Sequence, residues 1–247
     1  MTEAPSITAA ILVIGDEILS GRTKDKNIGT IADHLFGLGI DLLEVRVVPD
    51  MPAAIIAALN ALRHAYTYVF TSGGIGPTHD DITADCVAEA FGVELHEDPA
   101  AIALLLERIK VEDLNAARRR MARIPAGGEL IANSISKAPG FMLGNVIVMA
   151  GVPAIMAAML HAVTPRLRTG AQVQVVNIAT LDLPEGAYAT ALGAVAETHP
   201  GVSIGSYPSL VDGRFHNQIV LRGREQAALD TAADDVRAML AQLKTNT

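Results

Sequence analysis

A glycine-rich segment, Thr71-Ser-Gly-Gly-Ile-Gly-Pro-Thr-His-Asp-Asp-Ile-Thr83, joins an apolar run to a helical pattern. The run Tyr66 to Phe70 predicts a short buried strand, and Ala84 to Phe91 predicts a helix. A glycine turn between a strand and a helix suits an anion, because its backbone N–H groups and the positive end of the helix can face a phosphate. The residues predicted to bind phosphate are Ser72, Gly73, Gly74, Gly76 and Thr78.

Two adjacent carboxylates, Asp80 and Asp81, lie in the same segment. Paired acids beside a phosphate site indicate a divalent metal ion, because phosphate itself attracts positive charge. A plainer interpretation is a tight turn in which Asp81 or Thr83 merely caps the helix. Capping alone does not account for three glycines, a proline and two acids in one loop. We therefore favour a site for phosphate and metal.

The composition excludes several classes of protein. The chain has 247 residues, 50% of them apolar, enough for one large domain or for a domain with a small appendage. The net charge of −8 argues against nucleic acid as a partner, since a phosphate backbone needs clustered Lys and Arg. No apolar stretch approaches the ~20 residues of a membrane span, so we expect a cytoplasmic protein with no membrane partner. The lone Cys86 lies in a helical pattern and is expected to be a buried structural thiol.

The first part of the chain alternates strands with helices. Ile7 to Ile14, Ile40 to Val48 and Tyr66 to Thr71 predict strands, and the amphipathic patterns between them predict helices. Further along, Phe141 to Met149 predicts another strand and Pro99 to Val111 a helix. This order is typical of a parallel sheet with crossover helices on its faces. We predict an α/β fold of three layers around a parallel or mixed sheet.

A second acidic loop, Gly15 to Gly21, follows the first predicted strand. Ligands of parallel sheets bind beyond the carboxyl ends of the strands, so this loop and the glycine-rich segment share one edge. The edge therefore gathers Asp16, Glu17 and Asp25 near Asp80 and Asp81. The predicted ligands of a divalent metal (Mg, Mn or Co) are Asp81, Asp80, Asp25 and Glu17.

A short polar segment, Thr164 to Gly170, divides the chain, and the order of predicted strands and helices differs after it. We predict one domain over residues 1–168 and a small α+β domain over residues 169–247. The second part has a β-α-β-β-α pattern, which predicts helices on one face of an antiparallel sheet. Val202 to Tyr207 and Phe215 to Leu221 are its predicted paired strands, with Asp212-Gly213 in or near their hairpin. This part carries no catalytic constellation, so packing or subunit contact is its expected role.

Four arginines lie close together on an otherwise acidic chain, at positions 118, 119, 120 and 123. Two interpretations stay open. The first, which we favour, is a solvated basic face. The second is that one arginine reaches the active edge of its own subunit or of a neighbour.

Several separated motifs together resemble the amino-terminal domain of the CinA family. They are Ile14-Gly-Asp-Glu-Ile-Leu-Ser-Gly21, Asp25 and Asn27, the segment Thr71 to Thr83, Ala138-Pro-Gly-Phe141 and Gly151-Val-Pro153. That domain is similar to the molybdopterin-binding fold of MoaB, MogA and a domain of MoeA. The resemblance covers residues 7 to about 165 and keeps the order of the motifs. Full-length CinA proteins continue into a nicotinamide-nucleotide deamidase domain, and we expect that activity to be absent here.

The resemblance implies chemistry at a phosphoanhydride next to an adenylate. In the molybdopterin adenylyltransferase branch, an acid of the glycine loop and a second acid support metal-assisted chemistry. These acids match Asp81 and Asp25, which are the predicted catalytic residues. In the CinA branch the domain is associated with metal-dependent ADP-ribose pyrophosphatase activity. Gly140, in the Ala-Pro-Gly motif, joins the predicted phosphate-binding residues.

The chain also departs from the CinA pattern. Ser136-Lys137 replaces a usual Gly-Thr, Ile155 replaces an acid, and Met121 replaces a common Gln. These changes alter polar contacts around a ligand but not the fold. As a hypothesis, Lys137 places a direct charge on a phosphate.

The leading prediction is a metal-dependent hydrolase of an ADP-ribose-type diphosphate linkage. Three alternatives stay open: a molybdopterin-binding module with little turnover, an adenylyltransferase acting on a pterin phosphate, and an interaction protein that has lost catalysis. The expected partner is a small nucleotide or pterin phosphate. Family analogy also predicts a homo-oligomer.

Overall fold

The computed structural model describes residues 6–180, 182–211 and 214–245. The chain forms two compact units, Met1–Gly170 and Ala171–Thr247. The predicted hairpin residues Asp212 and Gly213 lie outside the described residues.

The first unit contains eight strands and seven α-helices among its described residues. The strands are β1 (Thr8–Ile14), β2 (Asp41–Val48), β3 (Tyr68–Ser72), β4 (Leu95–Glu97), β5 (Arg123–Pro125), β6 (Glu129–Ile131), β7 (Gly140–Leu143) and β8 (Val146–Met149). The helices are α1 (Asp16–Leu19), α2 (Asn27–Gly37), α3 (Pro52–Ala65), α4 (Thr83–Phe91), α5 (Pro99–Leu106), α6 (Ala116–Arg120) and α7 (Pro153–Val163).

Six of these strands form one mixed sheet in the order β2-β1-β3-β8-β7-β6. β2, β1, β3 and β8 run parallel to one another, β7 is antiparallel to β8, and β6 is antiparallel to β7. The carboxyl ends of the four parallel strands therefore meet at one edge of the sheet. The loop after β1 and the glycine-rich segment after β3 both start from that edge.

Alternate residues of the central strands supply two hydrophobic cores. Leu12 and Val69 pack with α3, α4 and α5 on one face, whereas Ile11 and Phe70 pack with α2 and α7 on the other. All four of these side chains are fully buried. A strand buried on both faces reads as a continuous apolar run, because both sides of its pleat are covered. The predicted three-layer α/β fold is confirmed.

Two local predictions in the first unit are wrong. Phe141 to Met149 forms two antiparallel strands instead of one, because the chain reverses at Gly144, whose φ is +57°. The helix predicted over Pro99 to Val111 ends at Leu106. The short ladder between β4 and β5 was not predicted, since a strand of three residues carries almost no periodicity.

The second unit is a small α+β domain, as predicted. Its strands are β9 (Gln174–Ala179), β10 (Ser203–Tyr207), β11 (Leu210–Val211), β12 (Arg214–Phe215) and β13 (Gln218–Gly223), and its helices are α8 (Glu185–Thr198) and α9 (Gln226–Thr245). β10, β13 and β9 form an antiparallel sheet. Both helices pack against this sheet in one core around Tyr188 and Leu229. In the described parts of both units, no helix combines the length and apolarity needed to cross a bilayer.

Candidate functional site

The glycine-rich segment passes from β3 to α4 through a turn that requires glycine. Gly73 has a φ of +111° and Gly74 a φ of +69°. A Cβ atom on Gly73 would lie 2.2 Å from the carbonyl oxygen of Ile14. The Thr83 hydroxyl donates a hydrogen bond of 3.0 Å to the Gly73 carbonyl. The turn is therefore fixed against the end of β1 and the first residue of α4.

The backbone N–H groups of this turn fall into two sets. The N–H of Gly73 donates a hydrogen bond of 3.1 Å to the carbonyl of Met149 at the end of β8. Within the described part of the chain, the N–H groups of Gly74, Ile75 and Gly76 have no hydrogen-bond partner. These three groups are therefore the donors that the turn offers to an anion, next to the start of α4.

A cleft of about 640 Å³ opens beside the turn at the carboxyl ends of the parallel strands. One part of its lining is acidic and consists of Glu17, Asp50, Asp80 and Asp81. Another part is apolar and consists of Ile75, Met121, Val152, Ile155 and Met159. Clefts of this volume and mixed lining hold ligands of small-molecule size. The cleft can thus receive a charged phosphate group and a flat apolar ring together.

Asp81 is held rigidly at the far end of the turn. Its Oδ2 atom accepts a hydrogen bond of 2.8 Å from the N–H of Thr78 and a second bond from the Thr78 hydroxyl. Its backbone carbonyl accepts a bond of 3.0 Å from Nη2 of Arg120. A Cβ atom on Gly76 would lie 2.6 Å from Oδ2, so the carboxylate packs directly on the turn. Thr78, which was predicted to bind phosphate, donates both of the bonds to Oδ2 and so orients Asp81.

Asp50 is a cleft residue that the sequence analysis did not identify. It follows the end of β2 and lines the cleft with Glu17 and Asp80. Burial raises the pKa of the Asp50 carboxyl above its ordinary value, and the negative charges of Asp16, Glu17 and Asp80 add to this shift. The backbone N–H of Asp16 opposes it with a hydrogen bond of 2.9 Å. The signal that could have revealed Asp50 is its place after a strand parallel to β1.

The acidic residues suit a metal ion that is bound jointly by the protein and a phosphate ligand. They suit less well a metal ion bound by protein ligands alone. Nowhere in the described ranges do three or more His, Cys, Asp or Glu side chains form a group that could hold a metal ion. Mg²⁺ needs fewer protein ligands, because it keeps several waters and binds one or two carboxylates together with substrate phosphates. Asp80 and Asp81 offer such oxygens beside the turn. The nearby Thr78 side chain and the backbone N–H of Asp80 lower the pKa of the Asp80 carboxyl, which favours its charged form.

Asp25 and Ser72 line a smaller recess next to the main cleft, and Glu17 lines both. The Oδ1 atom of Asp25 accepts a hydrogen bond of 2.8 Å from the N–H of Ile28 in the first turn of α2. The Ser72 hydroxyl is buried and accepts a bond of 2.7 Å from Nδ2 of Asn27. Both predicted site residues make hydrogen bonds at the start of α2, and Asp25 lines the recess whereas Asp81 lines the main cleft.

Lys137 and Gly140 lie outside the lining of the main cleft. Nζ of Lys137 pairs with Oε2 of Glu107 at 2.6 Å, so its charge is directed to the segment after α5. Gly140 is buried in β7, where a Cβ atom would lie 2.3 Å from the Val148 carbonyl oxygen. The structure thus gives Gly140 a packing role between strands.

The four arginines divide between the two interpretations left open above. Arg118 and Arg119 make exposed ion pairs with Asp113 and Glu97. Arg123 pairs with Asp85 in α4 through two bonds of 2.8 and 2.7 Å. Arg120 contacts the Asp81 carbonyl, so one arginine of the group reaches the back of the glycine-rich turn within the same chain.

Comparison with known proteins identifies the first unit. A family model described as a probable molybdopterin binding domain matches residues 10–169. The chain belongs to this family. The crystal structure of the protein CinA from Thermoplasma acidophilum is similar to it with a TM-score of 0.62 and 33% identity, covering 65% of this chain and 98% of that one. The resemblance to CinA and to the molybdopterin-binding fold is confirmed.

The matches also reach beyond the molybdopterin-binding domain. A CinA-like protein of Citrifermentans bemidjiense is 40% identical over 202 residues, which are 77% of this chain and 49% of the relative. A probable FAD synthase of Caenorhabditis elegans is 30% identical over 259 residues, which are 95% of this chain and 50% of the relative. The chain spans about half the length of these curated relatives.

Residues 176–247, which follow the molybdopterin-binding domain, match a model described as the FAD synthase middle domain. The second unit therefore corresponds to that domain and not to a deamidase. Within the molybdopterin-binding domain, two departures from the CinA pattern, Met121 and Ile155, both line the cleft. Both side chains add to the apolar part of the lining.

Proposed function

We propose that the cleft binds a nucleotide diphosphate and hydrolyses its diphosphate linkage with the help of a divalent metal ion. The substrate class is that of ADP-ribose. The observation that carries the proposal is that Gly74, Ile75 and Gly76 offer N–H donors in the same cleft as Asp50, Asp80 and Asp81.

The proposed roles follow from the position and charge of each group. The N–H donors of the turn bind phosphate oxygens, and Asp80 and Asp81 would hold a metal ion that arrives with the phosphates. Such an ion would polarise a phosphoryl oxygen and neutralise charge that develops on it. The Asp50 carboxylate, with its raised pKa, is the base that accepts a proton from the attacking water. Water adds to one phosphorus, its P–O–P bond breaks, and AMP and ribose 5-phosphate leave.

The names of two classes of relative support nucleotide chemistry. The name of the probable FAD synthase of Caenorhabditis elegans gives FAD as its product, and FAD contains a diphosphate linkage next to adenosine. The family model names molybdopterin, which is a pterin phosphate. Both ligands join a phosphate to a flat ring, and the apolar lining at Met121, Ile155 and Met159 suits such a ring.

A second candidate function is binding of a pterin phosphate with little turnover. The description of the matching family model favours it. The same N–H donors would hold the phosphate, but the carboxylates would contribute little to affinity. Adenylyl transfer from ATP onto a pterin phosphate is the catalytic version of this candidate, and it predicts diphosphate release that depends on the pterin.

The test is a screen of the full chain with ADP-ribose and each of Mg²⁺, Mn²⁺ and Co²⁺, in which AMP is measured. We expect metal-dependent AMP release that falls at least about 100-fold in Asp81→Asn, the scale of a lost catalytic group. No AMP with any metal, together with tight pterin binding, would sink the hydrolase proposal. The variant Asp25→Asn keeps an oxygen for the Ile28 N–H and is assayed beside it. An equal loss of AMP release in both variants would indicate that Asp25 also takes part in the reaction.

A further inference from the structure

Two of the clustered arginines, Arg120 and Arg123, pack behind the glycine-rich turn. Nη2 of Arg120 donates a hydrogen bond of 3.0 Å to the carbonyl of Asp81, which is the last polar residue before α4. Both arginines line a small cavity behind the turn, together with Gly74, Gly76 and Asp81. The cavity measures only about 10 Å³, so the two side chains lie close against the turn.

A buried Nε atom sets Arg120 and Arg123 apart from the other two arginines. The Nε atoms of Arg120 and Arg123 are both buried without a hydrogen-bond partner in the described part of the chain. Burying an unpaired guanidinium N–H is costly, and a solvated basic face does not require it. The adjacent Arg119 shows the ordinary surface alternative, with a half-exposed side chain paired to Glu97.

The two arginines form contacts on both sides of the junction between the turn and α4. Arg123 makes a bidentate ion pair with Asp85 in the first turn of α4, and bidentate pairs fix geometry as well as charge. Arg120 holds the peptide group of Asp81, directly before the helix. The carboxylate of Asp81 accepts its own hydrogen bonds from Thr78 within the turn. Arg120 therefore fixes the backbone from which this carboxylate projects, and Thr78 fixes the carboxylate itself.

We propose that Arg120 is a positioning residue for Asp81 and for the glycine-rich turn. It does not touch the substrate; it acts through the Asp81 carbonyl. Its effect on turnover rests on the proposed hydrolase function, whereas its effect on the order of the turn does not. The two can therefore be measured separately.

The first measurement is amide hydrogen exchange of the full chain, followed in peptides that cover residues 73–83. The N–H groups of Thr78, Asp81 and Thr83 are hydrogen-bonded within this stretch and report its order. In Arg120→Met we expect their exchange to rise at least about tenfold, as for the loss of one hydrogen bond to a charged group. Peptides from β1 report global unfolding, and we expect them to stay unchanged. Arg119→Met is the matched control and is expected to leave the turn as in the parent.

The second measurement separates kcat from KM for ADP-ribose in the same variants. Misplacement of a catalytic group by about 1 Å costs about 100-fold in rate, so we expect kcat of Arg120→Met to fall far more than KM changes. Arg120→Lys keeps a charge that can reach one carbonyl, and we expect it to restore part of both readouts. If Arg120→Met does not fold, Arg120→Lys replaces it in both measurements.

Each outcome bears on one proposal. Unchanged exchange of residues 73–83 in a folded Arg120→Met protein would overturn the positioning role. Equal acceleration in Arg119→Met would overturn it too, because the effect would then belong to surface charge. Faster exchange in a chain that releases no AMP would instead support the positioning role and count against the hydrolase.

Discussion

The Oδ2 atom of Asp50 accepts a hydrogen bond of 2.9 Å from the backbone N–H of Asp16. The bond ties the end of β2 to the first residue of α1, so two neighbouring loops of the sheet edge are held together. It also holds Asp50 beside the negative charges of Asp16, Glu17 and Asp80, which together with burial raise its pKa. A raised pKa means that the charged form of Asp50 destabilises the folded protein. Such unfavourable clusters are concentrated at functional sites.

Replacing Asp50 with Asn should separate stability from activity. The amide keeps an oxygen for the Asp16 N–H but removes the charge, so we expect Tm at pH 7 to rise by about 1–3 °C. The same change removes the proposed base, and we expect kcat for ADP-ribose to fall by about 100-fold or more. Thermal unfolding and AMP release measure the two effects. Asp33→Asn, at an exposed position of α2, is the control. A variant that is both less stable and fully active would contradict the proposed role of Asp50.

Gly73→Ala should disrupt the turn from which the site is built. The new Cβ would meet the Ile14 carbonyl oxygen at 2.2 Å with φ at +111°, and neither atom can move without shifting a strand. We expect a loss of about 3 kcal/mol or more, which is a fall in Tm of roughly 6–12 °C in a protein of this size. Gly29→Ala is the matched control, since nothing lies within 4 Å of a Cβ there and the residue is inside α2. Its expected change is neutral to stabilising, by up to about 1 kcal/mol. Similar Tm values for both variants would show that the turn tolerates a side chain.

The fold was predictable because its signals are local and repeat along the chain. The apolar run that forms β1 is buried on both faces, and such a run indicates a central parallel strand without knowledge of its neighbours. The rule that parallel strands end at one edge placed Glu17 near Asp80, and both line the cleft. The same rule applied to Asp50, but Pro49-Asp50 resembles the end of an ordinary strand and carries no glycine signature.

The contacts that the sequence did not predict depend on distant partners. Lys137 pairs with Glu107, and no periodicity links two residues thirty positions apart. Asp25 was placed in the site by the sheet-edge rule and by the family resemblance, yet its oxygen accepts a hydrogen bond from the Ile28 N–H at the start of α2. The hairpin at Gly144 was missed because apolar residues continue on both sides of the turn. The partners of such side chains are set by tertiary packing, which the local sequence pattern does not encode.

His34 should make the stability of the first unit depend on pH. Burial lowers its pKa below 6.5, and the neighbouring His161 adds to the shift. The Thr164 hydroxyl donates to the Leu160 carbonyl, so it accepts the hydrogen bond of 2.7 Å from Nε2 of neutral His34. The unfolded chain therefore binds a proton more strongly than the folded chain. The stabilising contribution is complete above pH 6.5 and is lost as the pH falls through 6.5 towards the lower folded pKa.

The measurement for His34 is chemical denaturation of the parent and of His34→Gln at pH 7.5, 6.5 and 5.5. The glutamine keeps a donor for Thr164 but does not titrate, so we expect a smaller loss of stability between the highest and lowest pH. His79→Gln is the control, because the His79 side chain is 98% exposed. Parallel pH profiles for the parent and His34→Gln would show that His34 does not contribute.

Cys86 should report opening of α4, the helix that follows the glycine-rich turn. The residue is 2% exposed, and burial raises the pKa of its thiol to about 11. The thiolate is the form that attacks a disulfide reagent, and its population at pH 8 falls by about 100-fold when the pKa rises by about two units. We therefore expect an aromatic disulfide reagent to label the native protein at least about 100-fold more slowly than the same chain in denaturant. Gly73→Ala should accelerate the labelling, whereas Gly29→Ala should not, because only the first change loosens the turn that leads into α4. Labelling of the native parent as fast as that of the denatured chain would mean that Cys86 is reached without opening of the helix.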